Sequence, residues 1–441
     1  MIKPKLVNWL FVVVIVLFAN KGFAQSVLTK ADAVQITLQN NYDIKVAKND
    51  TRVASNNTSR ELNGYLPTVN FNAGANTSLG GSTQKFSNGN ENTTSTALNW
   101  GANASVTANY TLIDKTRDIT VKQLKEIVSL TDLQLRQTIE NNLLQVFSNY
   151  YEVARLTQNA KVLDETIEVS NQRLLRAQYQ YDYGQGIRLD VLNAEVDIQR
   201  DSINLLNIHN QLANAKRNLN VAMGRSVNIP VEVDTLVTYD ANLTAEQLIA
   251  DAQQGNVWVV LVDKNLDISA YDIDIMESTK KPTLGASASY NYNFSDNASG
   301  SFIDLSNSRG LSAALSLSWN IFDGGRRKVQ QDNARINIES QTVQKEQILQ
   351  QLERDVTNAW ESYQTSLFIL RAEEKNLLTN QLNFQRTEEQ FKIGQVTSVE
   401  FRQAQLNLLN AATNYNTAKY DAKIIELQLM QLSGGLLDIE F

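Results

Sequence analysis

The side-chain types that enzymes use for catalysis are scarce in this chain of 441 residues. It contains no cysteine and one histidine, His209. The lack of cysteine excludes disulfides, thiolate metal sites and a nucleophilic cysteine. One histidine is too few for a multi-histidine metal site and argues against a Ser-His-Asp triad. We therefore expect no enzyme activity, no cofactor and no bound metal. Any chemistry of the chain is expected to be electrostatic.

Two carboxylates stand out by their spacing from glycines. Asp190 follows Gly184 by six residues, and Glu400 follows Gly394 by six. Each glycine interrupts a long helical pattern, and glycine reaches the positive φ that a tight reversal needs. In the first turn of a returning helix, each carboxylate is stabilised by the helix dipole.

The elements that position these acids are long helices. The segment from Lys115 to Tyr183 has 69 residues without glycine or proline, which is about 100 Å of helix at 1.5 Å per residue. Similar tracts cover 184–224, 326–393 and 394–434, and such lengths predict coiled-coil-like packing. Asn and Gln make up 82 of the 441 residues. The helices therefore present uncharged polar faces, which suit the wall of a water-filled tube.

Four segments alternate with a period of two, and we predict strands at about 67–79, 97–113, 282–294 and 310–322. The third shows the pattern clearly, because one face carries Leu284, Ala286, Ala288, Tyr290, Tyr292 and Phe294. The lengths fit tilted membrane strands. Four strands cannot close a barrel and open edges cannot face lipid, so closure requires further copies of the chain. Two exposed hairpins of a soluble sandwich are the alternative, which the long helical tracts disfavour.

The N-terminal residues 1–24 are predicted to be a signal peptide. Lys3 and Lys5 precede an apolar run from Leu6 to Phe18, and Gly22 and Ala24 supply small residues before the cleavage point. The run is short for a transmembrane helix, and an uncleaved anchor is the alternative.

The chain also repeats itself. Pro67 and Pro282 are 215 residues apart, and Gly184 and Gly394 are 210 apart. We infer a first repeat at 25–225, a linker at 226–242 and a second repeat at 243–441. Each repeat contains a helix, two strands, a long helix, a glycine tip near 184 or 394, and a returning helix. Where the last strand changes to helix, Asp323, Gly324 and Gly325 form a turn in which Asp323 is the expected N-cap.

The ordered set of motifs resembles the TolC family of outer-membrane efflux proteins. The segments that carry the resemblance are Leu28–Ala33, Leu66–Val69, Tyr183–Leu192 and Asn320–Arg326. The resemblance implies a mainly α fold with membrane β-strands, in which three copies form a trimeric α/β-barrel. Each copy gives four strands to a twelve-stranded barrel, and long coiled-coil helices cross the periplasm.

The same resemblance implies a passive exit duct of a tripartite efflux or type I secretion system, gated at its periplasmic helix tips. The expected partners are two further copies, a periplasmic adaptor, an inner-membrane pump of the RND, ABC or MFS type, and outer-membrane lipid. A net charge of -7 argues against nucleic acid. The alternatives are a trimeric coiled-coil structural or adhesive surface protein, which has no need of lipid-facing strands, and a secreted enzyme.

Carried over residue by residue, the resemblance makes Asp190 and Glu400 the candidates for the entrance constriction. In a trimer they would give six carboxylates around one axis, which favour cations and disfavour anions. This interpretation and stabilisation by the helix dipole both stay open and are compatible. Gln403 lies where another family acid occurs, which leaves a second acidic ring without support. Tip and adaptor-contact candidates are Gly184, Gln185, Arg188, Gly394, Gln395, Tyr181 and Phe391. The aromatic residues among them, with Tyr183, either close the tip or pack between neighbouring helices. Arg188 either pairs with a neighbour's carboxylate or stays solvated.

Overall fold

The computed structural model describes residues 27–240, 242–297 and 303–438, so the expected signal peptide at 1–24 lies outside the described residues. The helices are α1 Lys30–Asn40, α2 Tyr42–Asn57, α3 Lys115–Asp182, α4 Arg188–Ala222, α5 Ala245–Gly255, α6 Val257–Ser278, α7 Arg326–Lys392 and α8 Ser398–Ser433. The strands are β1 Thr68–Lys85, β2 Glu91–Ile113, β3 Thr283–Asp296 and β4 Leu305–Ser318, and a 3-10 turn covers Leu436–Asp438.

The chain divides into two compact units. The sheet unit consists of Asn49–Gln134 and Leu261–Gln347, and the helical unit contains the described residues of the remaining segments. Each repeat contributes to both units. Among the described helices, none is both long enough and apolar enough to cross a membrane.

The sheet unit holds one antiparallel sheet with the strand order β1-β2-β3-β4. Both β1 and β2 extend beyond the expected strands at 67–79 and 97–113, so only a short turn remains between Lys85 and Glu91. The added residues are mostly Ser, Thr, Asn and Gly. They pair through backbone hydrogen bonds and lack the apolar alternation on which the prediction depended.

The fourth strand ends earlier than expected. We predicted a strand to residue 322, but β4 ends at Ser318, where it pairs with Thr283 of β3. The next partner along β3 would be Pro282, which has no N–H to donate to a further rung. The Trp319 indole instead donates to the backbone oxygen of Lys280 at 3.0 Å.

Two larger apolar cores lie in the helical unit, the first of which also takes in residues of the second repeat such as Tyr420 and Leu427. Phe147, Tyr150 and Leu219 lie in the first core, and Val356 and Tyr363 lie in the second. Tyrosine hydroxyls tie the linker and the N-terminal segment to the helices. Tyr150 donates to the oxygen of Leu28 at 2.7 Å and Tyr363 to that of Asp240 at 2.8 Å. Burial raises the pKa of Tyr150 to about 12, so its hydroxyl remains a donor at neutral pH.

An asparagine joint occurs once in each repeat. The Asn41 side chain caps α2 by accepting from the N–H of Ile44, and it donates to the oxygen of Ala222 at 2.8 Å. In the second repeat, Asn256 accepts from Trp258 and donates to Leu432, also at 2.8 Å. The end of each returning helix is thereby fastened to the start of its repeat.

Candidate functional site

The two tips, 183–187 between α3 and α4 and 393–397 between α7 and α8, share one backbone geometry. Gly184 has a φ of 73° and Gly394 a φ of 77°. At the first tip, the N–H of Gln185 donates to the oxygen of Gln180 at 2.7 Å. At the second, Gln395 donates to Gln390 at 2.8 Å. Both patterns are Schellman motifs, which end a helix on a residue with positive φ.

The second tip is capped by side chains. Thr397 is the N-cap of α8, and its hydroxyl accepts from the N–H of Glu400 at 3.2 Å. The Glu400 carboxylate accepts in return from the N–H of Thr397 at 2.7 Å. These contacts form a capping box. The hydrogen bond from the Thr397 N–H lowers the pKa of Glu400. This exposed carboxylate is therefore ionised and is hydrogen-bonded to the start of its own helix.

The first tip lacks such a cap. Ile187 is the N-cap of α4 and offers no side-chain acceptor. Asp190 takes the place that Glu400 has at the second tip, and its N–H donates to the oxygen of Ile187 at 3.1 Å. Within the described part of the chain, the side chains of Asp190 and Arg188 make no hydrogen bond or ion pair. The two equivalent acids thus differ, because Glu400 caps its own helix and Asp190 does not.

The predicted aromatic residues behave differently at the two tips. Phe391 stacks on Phe401 with ring centroids 4.6 Å apart, and the Arg176 guanidinium lies 5.1 Å from the Phe391 centroid. Arg176 also donates to the backbone oxygen of Lys392 at 2.7 Å, which joins α3 to the second tip. Tyr181 and Tyr183 are exposed, as are Gln185, Arg188 and Gln395. Phe391 therefore packs within the protomer, whereas the two tyrosines present their rings to solvent.

A cleft of about 480 Å³ lies between α3 and α7 beside the tips. Its wall mixes aromatic, apolar and charged side chains, among them Leu175, Arg176, Tyr179, Gln185, Glu388 and Phe391. Besides Phe391, Gln185 is the other tip candidate that lines this cleft. Within the described residues, no hydrogen bond or ion pair joins Asp190 to Glu400. Gln403 bonds to Asn407 at 2.9 Å on the exposed face of α8.

Sequence analysis missed a group of buried charges close to the tips. Arg173 of α3, Asp197 and Asp201 of α4, and Arg402 of α8 lie together, and we call these four residues the buried charge layer. Arg402 binds Asp201 through two hydrogen bonds of 2.7 Å each. A usable signal was present, because Asp197 and Asp201 are spaced i, i+4 and share one helix face. Their cation partners lie on other helices and do not follow from local spacing.

The strand–helix turn of the second repeat is built on Asp323. Its carboxylate accepts from the N–H groups of Gly325 and Arg327, each at 3.1 Å, and from the Arg327 guanidinium at 2.7 Å. Desolvation raises the pKa of Asp323, but these hydrogen bonds and the charge of Arg327 together outweigh it and lower the pKa below its ordinary value. Asp323 lies three residues before the first residue of α7, so it caps the helix from outside the N-cap position. Gly324 and Gly325 both have positive φ.

The sheet has one apolar and one polar face. Across all four strands, one cross-strand row consists of Phe71, Val106, Tyr290 and Leu311. The adjacent row, on the opposite face, consists of Asn70, Thr107, Ser289 and Ser312. Phe71 is 69% exposed and Leu315 is 74% exposed, so the apolar face is uncovered in the single chain. Trp100 and Trp319 lie towards opposite ends of the strands.

These features define a class: a duplicated chain with long helical hairpins and a four-stranded sheet that has one apolar face. Comparison with known proteins gives the same class. The family described as "Outer membrane efflux protein" matches residues 33–225 and 248–435. The chain belongs to this family, which confirms the resemblance to TolC proteins. Its location is the outer membrane, with the helical part in the periplasm.

Individual relatives are distant in sequence. The outer membrane protein TolC of Vibrio cholerae serotype O1 is 24% identical over 309 residues, covering 69% of this chain and 70% of that one. The outer membrane efflux protein BepC of Brucella suis biovar 1 is 21% identical over 307 residues, covering 68% and 65%. The outer membrane channel CmeC of Campylobacter jejuni has the same fold, with a TM-score of 0.69 at 15% identity and coverage of 92% and 86%.

Proposed function

We propose that this outer-membrane efflux protein is the passive exit duct of a tripartite efflux or type I secretion system. The observation that carries the proposal is the sheet, which has two unpaired edges, β1 and β4, and an uncovered apolar face. Open strand edges are not stable against lipid. Three copies that join β4 to β1 of the next copy would close twelve strands, with the apolar rows towards outer-membrane lipid and the Asn/Ser/Thr rows towards a water-filled lumen.

The helical unit supports the same oligomer. The α4 helix carries an apolar stripe at helical spacing that the described part of the chain leaves exposed: Leu189, Leu192, Val196, Ile203 and Leu206. An exposed apolar stripe of this length is typical of a helix–helix interface. A neighbouring copy of the chain supplies that partner in a homotrimer.

We place the entrance gate at the tips. In a trimer, Asp190 and Glu400 would contribute six carboxylates around one axis, which favours cations and disfavours anions. Among the described residues, neither Asp190 nor Arg188 of the same tip has a side-chain partner. A closed entrance in which Arg188 of one copy faces Asp190 of the next is consistent with both observations.

The partners follow from the proposal. The exposed Tyr181, Tyr183, Gln185 and Gln395 and the cleft beside Phe391 offer a mixed aromatic and polar surface to a periplasmic adaptor. An inner-membrane pump of the RND, ABC or MFS type would supply the energy, because the duct itself does no chemistry. The neutral amide and hydroxyl faces bind no charged group strongly, which suits a broad range of exported molecules.

The test begins with the intact protein in its membrane. We expect the chain in the detergent-resistant outer-membrane fraction as a trimer that separates into monomers on heating. Purified trimers should carry ion current in planar bilayers, and the double variant Asp190→Ala/Glu400→Ala should conduct more current or discriminate less between cations and anions. A chain that leaves cells without detergent and carries no current would be a surface fibre, and the duct proposal would be wrong.

A further inference from the structure

The cleft of about 480 Å³ beside the tips has a wall that combines cations with apolar side chains. Its cations are Arg173 and Arg176 of α3 and Lys392 of α7, and its acid is Glu388 of α7. The apolar part is formed by side chains of three helices, which are Val169, Leu175, Phe391 and Phe401. Sites for small molecules are typically concave and mostly apolar, with a few polar groups that fix the orientation of the ligand. The wall of this cleft has that composition.

Arg176 provides the charge that a ligand in the cleft would meet. Its side chain is half-buried, and it donates one hydrogen bond of 2.7 Å to the backbone oxygen of Lys392. Within the described residues, no carboxylate pairs with Arg176. A backbone oxygen carries no formal charge, and the guanidinium has five N–H donors in a planar fork. Arg176 can therefore bind a carboxylate through two parallel hydrogen bonds.

Arg173 places a second guanidinium beside Arg176. The two residues are three positions apart on α3 and share one face of that helix. Arg173 is 3% exposed and donates to Asp197 through one terminal nitrogen. Its Nε is buried and has no hydrogen-bond partner among the described residues. Arg173 thus adds a donor without an acceptor to the wall, which favours an anion over a cation in the cleft.

The remaining charges of the wall compensate each other. The Lys392 ammonium lies 3.2 Å from the Glu388 carboxylate and 3.0 Å from that of Glu389. Lys392 is therefore occupied by two acids of its own helix, and Glu388 does not neutralise Arg176. The sign of the charge that the cleft offers to a ligand depends mainly on Arg176.

Phe391 gives the cleft a fixed aromatic surface. Its ring stacks on that of Phe401, with centroids 4.6 Å apart and an angle of 15° between the planes. The Arg176 guanidinium lies 5.1 Å from the Phe391 centroid, so charge and ring are adjacent. Tyr179, which also lines the cleft, is 55% exposed. A flat apolar ligand can contact these rings at a small cost in ordering, because Phe391 is already held in place.

We propose that the cleft between α3 and α7 binds a small amphipathic anion, a molecule with a flat apolar ring system and one carboxylate. The carboxylate lies on Arg176 and the ring system on Phe391. The site is complete within one protomer, so it does not depend on whether the chain conducts. The proposed adaptor is the competing occupant of this surface, and the test therefore uses trimers without an adaptor.

Binding is measured by equilibrium dialysis of the intact protein in nanodiscs of phosphatidylcholine, with empty nanodiscs as the background. Indole-3-acetate and indole-3-acetamide are the probes, because they share a ring system and differ in charge. We expect the acetate to bind at least about fivefold more tightly than the acetamide, since only the acetate forms charge-assisted bonds to a guanidinium. Equal binding of the two probes, or binding of neither, would overturn the proposal and leave the cleft to the adaptor.

Substitutions on the two sides of the cleft should have opposite effects. Arg176→Met keeps an unbranched stem without the charge and should abolish the preference for the acetate, whereas Arg176→Lys should retain part of it. Glu388→Gln removes a negative charge from the wall and should strengthen binding of the acetate by about twofold to threefold. Arg386→Met is the control, because Arg386 is exposed on α7 and does not line the cleft. If Arg176→Met fails to fold, Arg176→Lys and Glu388→Gln decide. An unchanged preference in the substituted cleft would contradict the proposal.

Thiol protection locates the ligand, because the chain has no cysteine of its own. Tyr179→Cys places a thiol on the wall of the cleft, and Gln178→Cys places one next to it on the exposed surface of α3, outside the cleft. Saturating indole-3-acetate should slow the reaction of N-ethylmaleimide with the first thiol severalfold and leave the second unchanged. Equal rates with and without the acetate at both thiols would place the ligand elsewhere and overturn the assignment.

Discussion

The two tips of this protein have the same backbone and different side-chain chemistry. Each ends its long helix on a glycine with positive φ and each carries an acid six residues later. At the second tip, Thr397 and Glu400 satisfy the free N–H groups of the returning helix. At the first tip, Ile187 stands where Thr397 would be, and Asp190 has no partner within the described residues.

The difference shows how a duplicated unit divides its tasks. A carboxylate that accepts its own helix's N–H groups stabilises the tip, and its charge is partly compensated by the helix N-terminus. A carboxylate without such bonds retains its full capacity for an ion or a neighbouring copy. We therefore assign structural capping mainly to Glu400, and we propose that Asp190 supplies most of the charge of the proposed gate.

The largest expected effect concerns the shared backbone. Gly184→Ala and Gly394→Ala should each destabilise their tip by about 1–2 kcal/mol, because an L-residue is strained at positive φ. Hydrogen exchange of the tip amides, measured by mass spectrometry on intact trimers, should become roughly 5- to 30-fold faster. A similar loss of protection from hydrogen exchange at both tips would support a common backbone geometry. A loss of protection at only one tip would contradict it.

The next effect separates the tips. Thr397→Ala should destabilise the second tip by about 1 kcal/mol, because the N-cap hydroxyl bond is lost. Ile187→Ala is the matched control at the first tip, and it removes no capping bond. Hydrogen exchange of the tip amides should become faster in Thr397→Ala and stay unchanged in Ile187→Ala. Equal acceleration in both would mean that the capping box contributes nothing specific.

A reverse substitution converts the first tip into the second. Ile187→Thr supplies the missing hydroxyl, and Asp190 is placed to complete a Thr-x-x-Asp box like that of Thr29 and Asp32 at the start of α1. We expect slower exchange at the first tip, by about threefold, for a gain somewhat below 1 kcal/mol. The channel should lose cation selectivity, because the Asp190 carboxylate would then be hydrogen-bonded within the cap of its own helix. Unchanged exchange and selectivity would contradict this.

The smallest effect is a pH dependence. The pKa of Glu400 is lowered in the folded chain, so its capping contribution is present above the unfolded pKa and is lost as pH falls through the folded pKa. The difference in tip exchange between the parent and Glu400→Gln should therefore be constant at neutral pH and shrink in acid below the ordinary glutamate range. A difference that grows in acid would reverse the assigned sign.

Local patterns were sufficient to predict the long helices and the four strands. Unbroken stretches predicted the long helices to within a few residues at their ends, and alternation located all four strands. The strand ends depended on partners that alternation does not encode, such as Pro282 opposite the expected continuation of β4. The polar extensions of β1 and β2 have no apolar face, so the alternation of apolar and polar residues does not predict them.

Prediction of the site went less far. Spacing from the glycines selected Asp190 and Glu400 together, because a sequence shows that both are acids at equivalent places. The spacing does not show which of the two carboxylates caps its own helix. That depends on Thr397 against Ile187, a difference visible in the sequence only after a capping box is sought. The buried charge layer escaped notice because Arg402 lies some two hundred residues from Asp201, and only the tertiary fold brings them together.

The central claim is that Asp190, and not Glu400, supplies most of the free charge at the entrance. The most direct measurement is the ratio of cation to anion permeability of purified trimers in planar bilayers at low ionic strength, where screening is weak. The account predicts that Asp190→Asn lowers this ratio clearly and that Glu400→Gln lowers it less. An equal or larger drop in Glu400→Gln, with Asp190→Asn close to the parent, would contradict the account.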